Sequence, residues 1–174
     1  MAADALKAGI VFFAAVVLQA AIVSAVELGG GTADLVLVTL TGVALLRGAI
    51  FGALAGFYAG FLLDAANLET LGLSSLLLTL AGYWIGRYGE TTGRDRAHAP
   101  LLAIVVVTVL YMLGGLGMHY LLGDAVSAQS GLVDALPAQI LLNLALTIPV
   151  YALARRFVAR PGSRPAMEVE FGTH

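Results

Sequence analysis

The stretch Gly48-Ala49-Ile50-Phe51-Gly52-Ala53-Leu54-Ala55-Gly56-Phe57-Tyr58-Ala59-Gly60-Phe61-Leu62-Leu63-Asp64 decides how this chain is read. Glycine recurs at every fourth position, nothing between the glycines is charged, and the run ends on a carboxylate. In water this would make a poor helix, because each interior glycine costs about 1 kcal/mol relative to alanine. In a bilayer the balance changes. Hydrocarbon tails are as apolar as leucine, so helices associate by close backbone approach, and a small residue every fourth position leaves a groove for a neighbour. Successive glycines drift by about 40° around the axis at 3.6 residues per turn, so the groove winds slowly and favours a crossed partner. Gly48, Gly52, Gly56 and Gly60 are therefore expected to form the packing spine of a membrane bundle. Gly82 and Gly86 make a second, weaker small-residue pair.

Composition agrees with a membrane setting. Of 174 residues, 60% are hydrophobic and 11% charged, whereas soluble domains carry about 25% charged residues. An all-α integral membrane protein with one compact bundle follows. The absence of cysteine excludes disulfides, thiolate metal sites and cysteine nucleophiles.

Cutting the chain at charges, glycine clusters and prolines leaves six apolar segments, at 6–26, 34–46, 48–63, 71–88, 101–122 and 135–154. The first, fifth and sixth reach about 30 Å at 1.5 Å per residue, enough to cross the hydrocarbon core. The second and third are short and separated only by Arg47. Fused, they would make a helix of about 45 Å, far longer than a bilayer needs. Charge placement decides for two crossings. With six crossings and both termini inside, Lys7, Arg47, Arg87, Arg94, Arg96, Arg155, Arg156, Arg160 and Arg164 all face the cytoplasm, and these are all nine basic residues. Glu27, Asp64, Glu69, Asp124 and Asp134 fall outside. That is the positive-inside pattern, and Arg47 reaches to the inner interface from a tight turn.

Residues 1–155 thus read as a six-helix transmembrane domain, and 156–174, basic and then acidic, as an unstructured cytoplasmic tail. Lys7 and Val23-Ser24-Ala25 loosely mimic a signal peptide, but the apolar run is too long for one, so the first helix is expected to be retained. Gly29-Gly30-Gly31-Thr32 reads as a flexible outer turn, with Thr32 or Asp34 capping the second helix. Pro100 and Pro137 stand near helix starts. Pro149 lies inside the sixth helix and should kink it. Gly114, Gly115 and Gly117 should loosen the fifth. Tyr83, Trp84 and Tyr88 suit the inner interface, where amphipathic rings are favoured.

Two sets of residues stand out as candidate sites. Asp34 and Asp64 lie at the outer ends of the second and third segments and should therefore be close together. A carboxylate is welcome where a helix begins, at Asp34, and opposed by the dipole where one ends, at Asp64. Asp64 then either opens a wet loop or waits for a partner, and no basic side chain of this chain is available outside. In the sixth segment Gln139, Asn143, Thr147 and Tyr151 are each four apart and share one helix face. They either hydrogen-bond within the bundle or line a ligand cavity or an interface, and Gln19 of the first segment is expected to face the same interior. His98, His119 and His174 lack ligand spacing, and no nucleophile–base set or buried proton relay is visible. Neither an enzyme, nor a cofactor, nor nucleic acid binding is expected.

Leu18-Gln19, Ala33-Asp34-Leu35, Leu46-Arg47-Gly48, and Gly52-x3-Gly56-x3-Gly60-Phe61-Leu62-Leu63-Asp64 followed by Leu71-Gly72 together resemble the rod-shape-determining membrane protein family MreD. The resemblance is carried by residues 15–90, and Ala33 stands where the family commonly has proline. It implies a six-helix fold similar to the substrate-binding component of energy-coupling-factor transporters. It also implies a multi-pass protein of the bacterial cytoplasmic (inner) membrane that partners the periplasmic coiled-coil protein MreC, and through it RodA and its transpeptidase. On that reading the chain is a non-catalytic scaffold or regulator of cell shape and lateral peptidoglycan synthesis. Asp34, Gly52, Gly56, Gly60, Asp64 and Gly72 are then structural or interfacial motif residues, with Arg47 at the turn. Membrane lipid and a second copy of the chain are further contacts left open. The alternatives are a vitamin- or metal-binding transporter subunit, suggested by the sixth segment's polar face, and an enzyme of lipid-linked wall precursors, which would need basic residues outside.

Overall fold

The computed structural model describes residues 2–21, 27–28, 31–68, 71–92, 98–122 and 135–158. Among these it has six helices: α1 (Ala2–Ala21), α2 (Leu35–Arg47), α3 (Ala49–Asn67), α4 (Leu73–Thr92), α5 (Ala99–Leu122) and α6 (Leu136–Val158). A short antiparallel pair, β1 (Glu27–Leu28) and β2 (Gly31–Thr32), joins α1 to α2, with Glu27 opposite Thr32. Gly31 and Thr32, expected as part of a flexible turn, are thus paired backbone. Three helices contain a stretch long and apolar enough to cross a membrane: Ala49–Asn67, Ala99–Met118 and Leu136–Arg156.

The centre of the bundle is α2. Every residue from Val36 to Leu45 is buried, because Leu-Val-Leu-Val-Thr-Leu-Thr-Gly-Val-Ala-Leu-Leu is apolar all round, the mark of a helix enclosed by neighbours. Its two interior hydroxyls do not disturb this. Thr41 Oγ1, for example, donates to the Leu37 carbonyl at 2.8 Å. All five other helices pack on it or on each other around it. Where α6 crosses, Gly42 lets Ala154 approach so closely that an added methyl would sit 3.3 Å from Ala154 Cβ. At 13 residues α2 is about 20 Å long at 1.5 Å per residue, and its neighbours screen it from lipid.

A single residue, Gly48, separates α2 from α3. Its φ of 95° lies in the left-handed region that side chains other than glycine avoid, and its N–H closes α2 on the Ala44 carbonyl at 2.8 Å. Arg47, the last residue of α2, lays its guanidinium 5.3 Å from the Phe51 ring centroid.

Several boundaries differ from expectation: α1 begins at Ala2 and α4 extends to Thr92, each four residues beyond the expected segment. The third helix runs on to Asn67, so Asp64 lies inside its last turn instead of ending it. The sixth reaches Val158, so Arg156 belongs to the helix and not to the tail. α5 is one continuous helix through Gly114, Gly115 and Gly117, and α6 continues through Pro149. Tyr83 and Trp84 meet edge to face at 5.7 Å. The charges Glu69, Arg94, Arg96, Asp124, Asp134, Arg160 and Arg164, and the histidine His174, lie outside the described residues, as does the chain beyond Val158.

Candidate functional site

The glycine spine packs on α4, and α4 answers it with a spine of its own. A methyl added at Gly52 would overlap the Gly82 carbonyl, and one at Gly82 would overlap the Gly52 carbonyl. One at Gly56 would strike the Leu78 carbonyl, one at Gly60 the backbone of Ser74 and Ser75, and one at Gly86 the backbone of Gly48. On α3 the steps run 48, 52, 56, 60, and on α4 they run 86, 82, 78, 74. Two antiparallel helices are therefore matched position for position, four residues at a time, with backbone against backbone. Gly82 and Gly86, the weaker pair, are the counterpart of the stronger one. Ser75 adds a hydrogen bond across the seam, from its Oγ to the Phe57 carbonyl at 3.1 Å. The opposite side of α3 presents Ile50, Leu54, Phe57 and Phe61 to the surroundings, as a lipid-facing side should.

Both ends of this pair are sealed by a carboxylate from the other helix. Asp64 is fully buried. Its Oδ2 accepts the Gly72 N–H at 2.8 Å, and its Oδ1 accepts the Ser74 N–H at 3.1 Å. These are N–H groups at the start of α4 that have no partner within their helix. The turn is shaped for this contact. Leu68 ends α3 in the left-handed conformation, its N–H on the Asp64 carbonyl. Gly72 has φ of 102°, where glycine is the residue at ease. At the other end Glu90 Oε1 accepts the Ala49 N–H at 2.9 Å, capping α3 from α4. Each carboxylate thus sits at the positive end of its partner helix. The expectation for Asp64 was a wet loop or a pairing site, its partner a backbone amine, a polar side chain or another protein. The structure encloses it and turns it onto the backbone N–H groups of the next helix, so it has no free face for an outside cation.

A second cluster holds the start of α2. Asp34 caps the helix, its Oδ1 accepting the Leu37 N–H at 2.8 Å. Its own N–H donates to Asn143 Oδ1 of α6 at 2.7 Å, and Asn143 Nδ2 donates to Thr108 Oγ1 of α5 at 3.0 Å. Gln19 of α1 brackets the same turn. Its Nε2 donates to the Ala33 carbonyl at 3.1 Å, and its Oε1 accepts the Leu35 N–H at 2.7 Å. Thr147 donates to the Asn143 carbonyl at 2.6 Å. Four helices are thereby tied at one turn. Of the polar face on α6, Asn143 and Thr147 are buried, and Gln139 and Tyr151 are half-buried. Asp34 and Asp64 do comparable work at different helix starts.

The chain matches the family described as rod shape-determining protein MreD over residues 5–158. It belongs to the MreD family. No curated protein and no solved structure matches it. The motif by which the chain resembles MreD now has a physical content. The glycines are the α3 half of a backbone seam, Asp64 and Gly72 form its cap and the turn that cap requires, and Asp34 is the cap of the central helix. Glu90, Ser74 and Ser75 complete the seam, and reading the sequence overlooked them. The four-residue step from Gly86 through Gly82 and Leu78 to Ser74 was the available signal. In this chain the arrangement ties helices of one bundle together at their starts. Among the described residues, no group of three or more His, Cys, Asp or Glu is placed to hold a metal ion.

Proposed function

We propose that the protein is a non-catalytic, multi-pass scaffold of the bacterial inner membrane that maintains rod shape by positioning the lateral wall-synthesis machinery, acting with an MreC-like partner. The observation that carries this reading is the family match, which extends from residue 5 to residue 158 and so takes in all but the first residues of α1. The interior chemistry supports a scaffold. Asp34, Asp64, Asn143 and Gln19, the buried groups that could serve a reaction or a ligand, each hold a helix start. A transporter subunit would need polar groups free to take its ligand, and of the α6 residues that suggested one, Asn143 is engaged with the start of α2 and with α5, and Thr147 bonds within its own helix.

Six crossings with both termini inside fit this role. Arg47, Arg87 and the Arg155–Arg156 pair lie toward the C-terminal ends of α2, α4 and α6, which is the cytoplasmic side in that topology. The shortness of α2 is tolerable because protein, not lipid, surrounds it.

Co-purification tests the proposal. The full chain, tagged and extracted in mild detergent, should retain a co-expressed MreC-like protein at a fixed ratio. Recovery no greater than that of an unrelated single-span protein would refute the partnership.

A further inference from the structure

Between α4 and α5 lies an apolar slot of about 530 Å³, within the range of about 300–1,000 Å³ that bound organic molecules fill. Leu77, Leu80 and Trp84 line one wall, and Val106, Leu110 and Tyr111 the other. Along α4 the lining runs from Leu77 to Tyr88, about 16 Å at 1.5 Å per residue. That is the depth of one leaflet, half of a hydrocarbon core about 30 Å thick. At the far end the slot closes, since a methyl added at Gly114 would lie 2.6 Å from Leu77 Cδ2.

The near end has the chemistry of a headgroup region. Trp84 and Tyr88 stand there, rings favoured at the membrane–water interface. Arg87 follows Trp84 by three residues, hence on the same side of α4, with its side chain 59% exposed. Its guanidinium is 3.5 Å from the Glu90 carboxylate, longer than the roughly 2.7–2.9 Å of a charge-assisted bond. A guanidinium carries five N–H donors, and one long contact does not saturate it.

The lining also discriminates between occupants. A docked transmembrane helix favours small residues that let backbones approach, but Gly82 and Gly86 of α4 face α3. Branched and aromatic side chains make up most of the slot, with Ala81, Ala103 and Gly114 set singly among them, and such a channel suits a thin flexible chain.

We propose that this slot holds one acyl chain of an anionic phospholipid, with the lipid phosphate on Arg87. Basic residues between transmembrane helices at the membrane surface bind such headgroups, and the fork of a guanidinium matches a phosphate.

Trp84 is the one tryptophan in the chain, so the slot carries its own reporter. The full chain is placed in phosphatidylcholine vesicles containing a minor fraction of either brominated phosphatidylglycerol or brominated phosphatidylcholine, and quenching of Trp84 is measured. The anionic lipid should quench about fivefold more effectively per molecule, the scale of one arginine–anionic lipid contact. Arg87→Gln should bring the ratio to about one, and Arg87→Lys should keep most of it. In a Trp84→Phe/Leu153→Trp variant, whose reporter is exposed beside Arg155 and Arg156, general surface attraction should give a much smaller ratio. Equal quenching by the two lipids in the parent protein overturns the proposal. So does a ratio unchanged by Arg87→Gln, or one as large at residue 153. Absence of quenching by both lipids would mean that protein fills the slot, and overturns it as well.

Discussion

Replacing Gly56 by alanine adds one methyl group, and its consequence can be worked out from the seam. The new Cβ would fall on the Leu78 carbonyl, with the Leu78 carbonyl carbon and the Thr79 nitrogen close behind. All three atoms are backbone, held in a helix, so no side chain can swing aside. α3 and α4 must move apart, and the neighbouring contacts at Gly52 and Gly60 loosen with them. Overpacking of this kind costs about 1–3 kcal/mol, and a rigid obstruction places it at the upper end. The helix propensity of alanine returns about 1 kcal/mol, leaving a net loss of about 2 kcal/mol. The same exchange at Gly115 meets nothing within 4 Å, so there the propensity gain of up to about 1 kcal/mol stands alone. Identical chemistry should thus act with opposite sign at two helix positions. Thermal unfolding in detergent, followed by the loss of monodisperse protein, reads this directly. Gly56→Ala should melt several degrees below the parent and Gly115→Ala at or above it. Equal shifts at both sites would refute the seam.

The polar clusters make further predictions. Asn143→Leu leaves the buried Asp34 N–H without a partner and should destabilise by about 1–3 kcal/mol, as measured by the same melt. Asp64→Ala strips the Gly72 and Ser74 N–H groups at once and should cost about 1 kcal/mol or more, whereas Asp64→Asn keeps one acceptor and should cost less. Because Asp64 is enclosed, Asp64→Asn should lower the amount of folded protein without a separate loss of partner capture in a pull-down. Selective loss of capture would return Asp64 to the interface. For topology, cysteines placed at Glu69 and Asp124 should react with an impermeant reagent added outside intact cells, and one at Arg94 should not. Labelling at 94 would invert the proposed orientation.

Much of the helical layout was legible because apolar runs, glycines and prolines act locally. The turn at Gly48 could be read from two apolar segments separated by Arg47. The seam was half legible. Four glycines at a constant step announce a groove, but what enters it is a matter of register between distant segments, and the matching step on α4 is plain only at Gly82 and Gly86, because Leu78 and Ser74 enter the seam through their backbone. Asp64 was left between a wet loop and an unidentified partner for a physical reason. A carboxylate near a helix C-terminus looks unfavourable only until the following turn brings another helix's free N–H groups to it, and that depends on the left-handed Leu68 and Gly72. The burial of α2 on every side was implicit in its uniform apolarity, yet its central position emerges only when all its neighbours are assembled. Asn143 and Thr147 are both buried, while the attachment of Asn143 to Asp34 joins residues 109 positions apart and no local pattern encodes it.

Maintenance of rod shape is tested most directly by depleting the protein in the bacterium that encodes it and measuring cell width and the site of new wall incorporation. The account predicts that cells widen and round while lateral incorporation fades, that the parent chain restores both, and that a Gly56→Leu chain, unable to close the α3–α4 seam, does not. Depleted cells that keep their width and their lateral wall growth would contradict it.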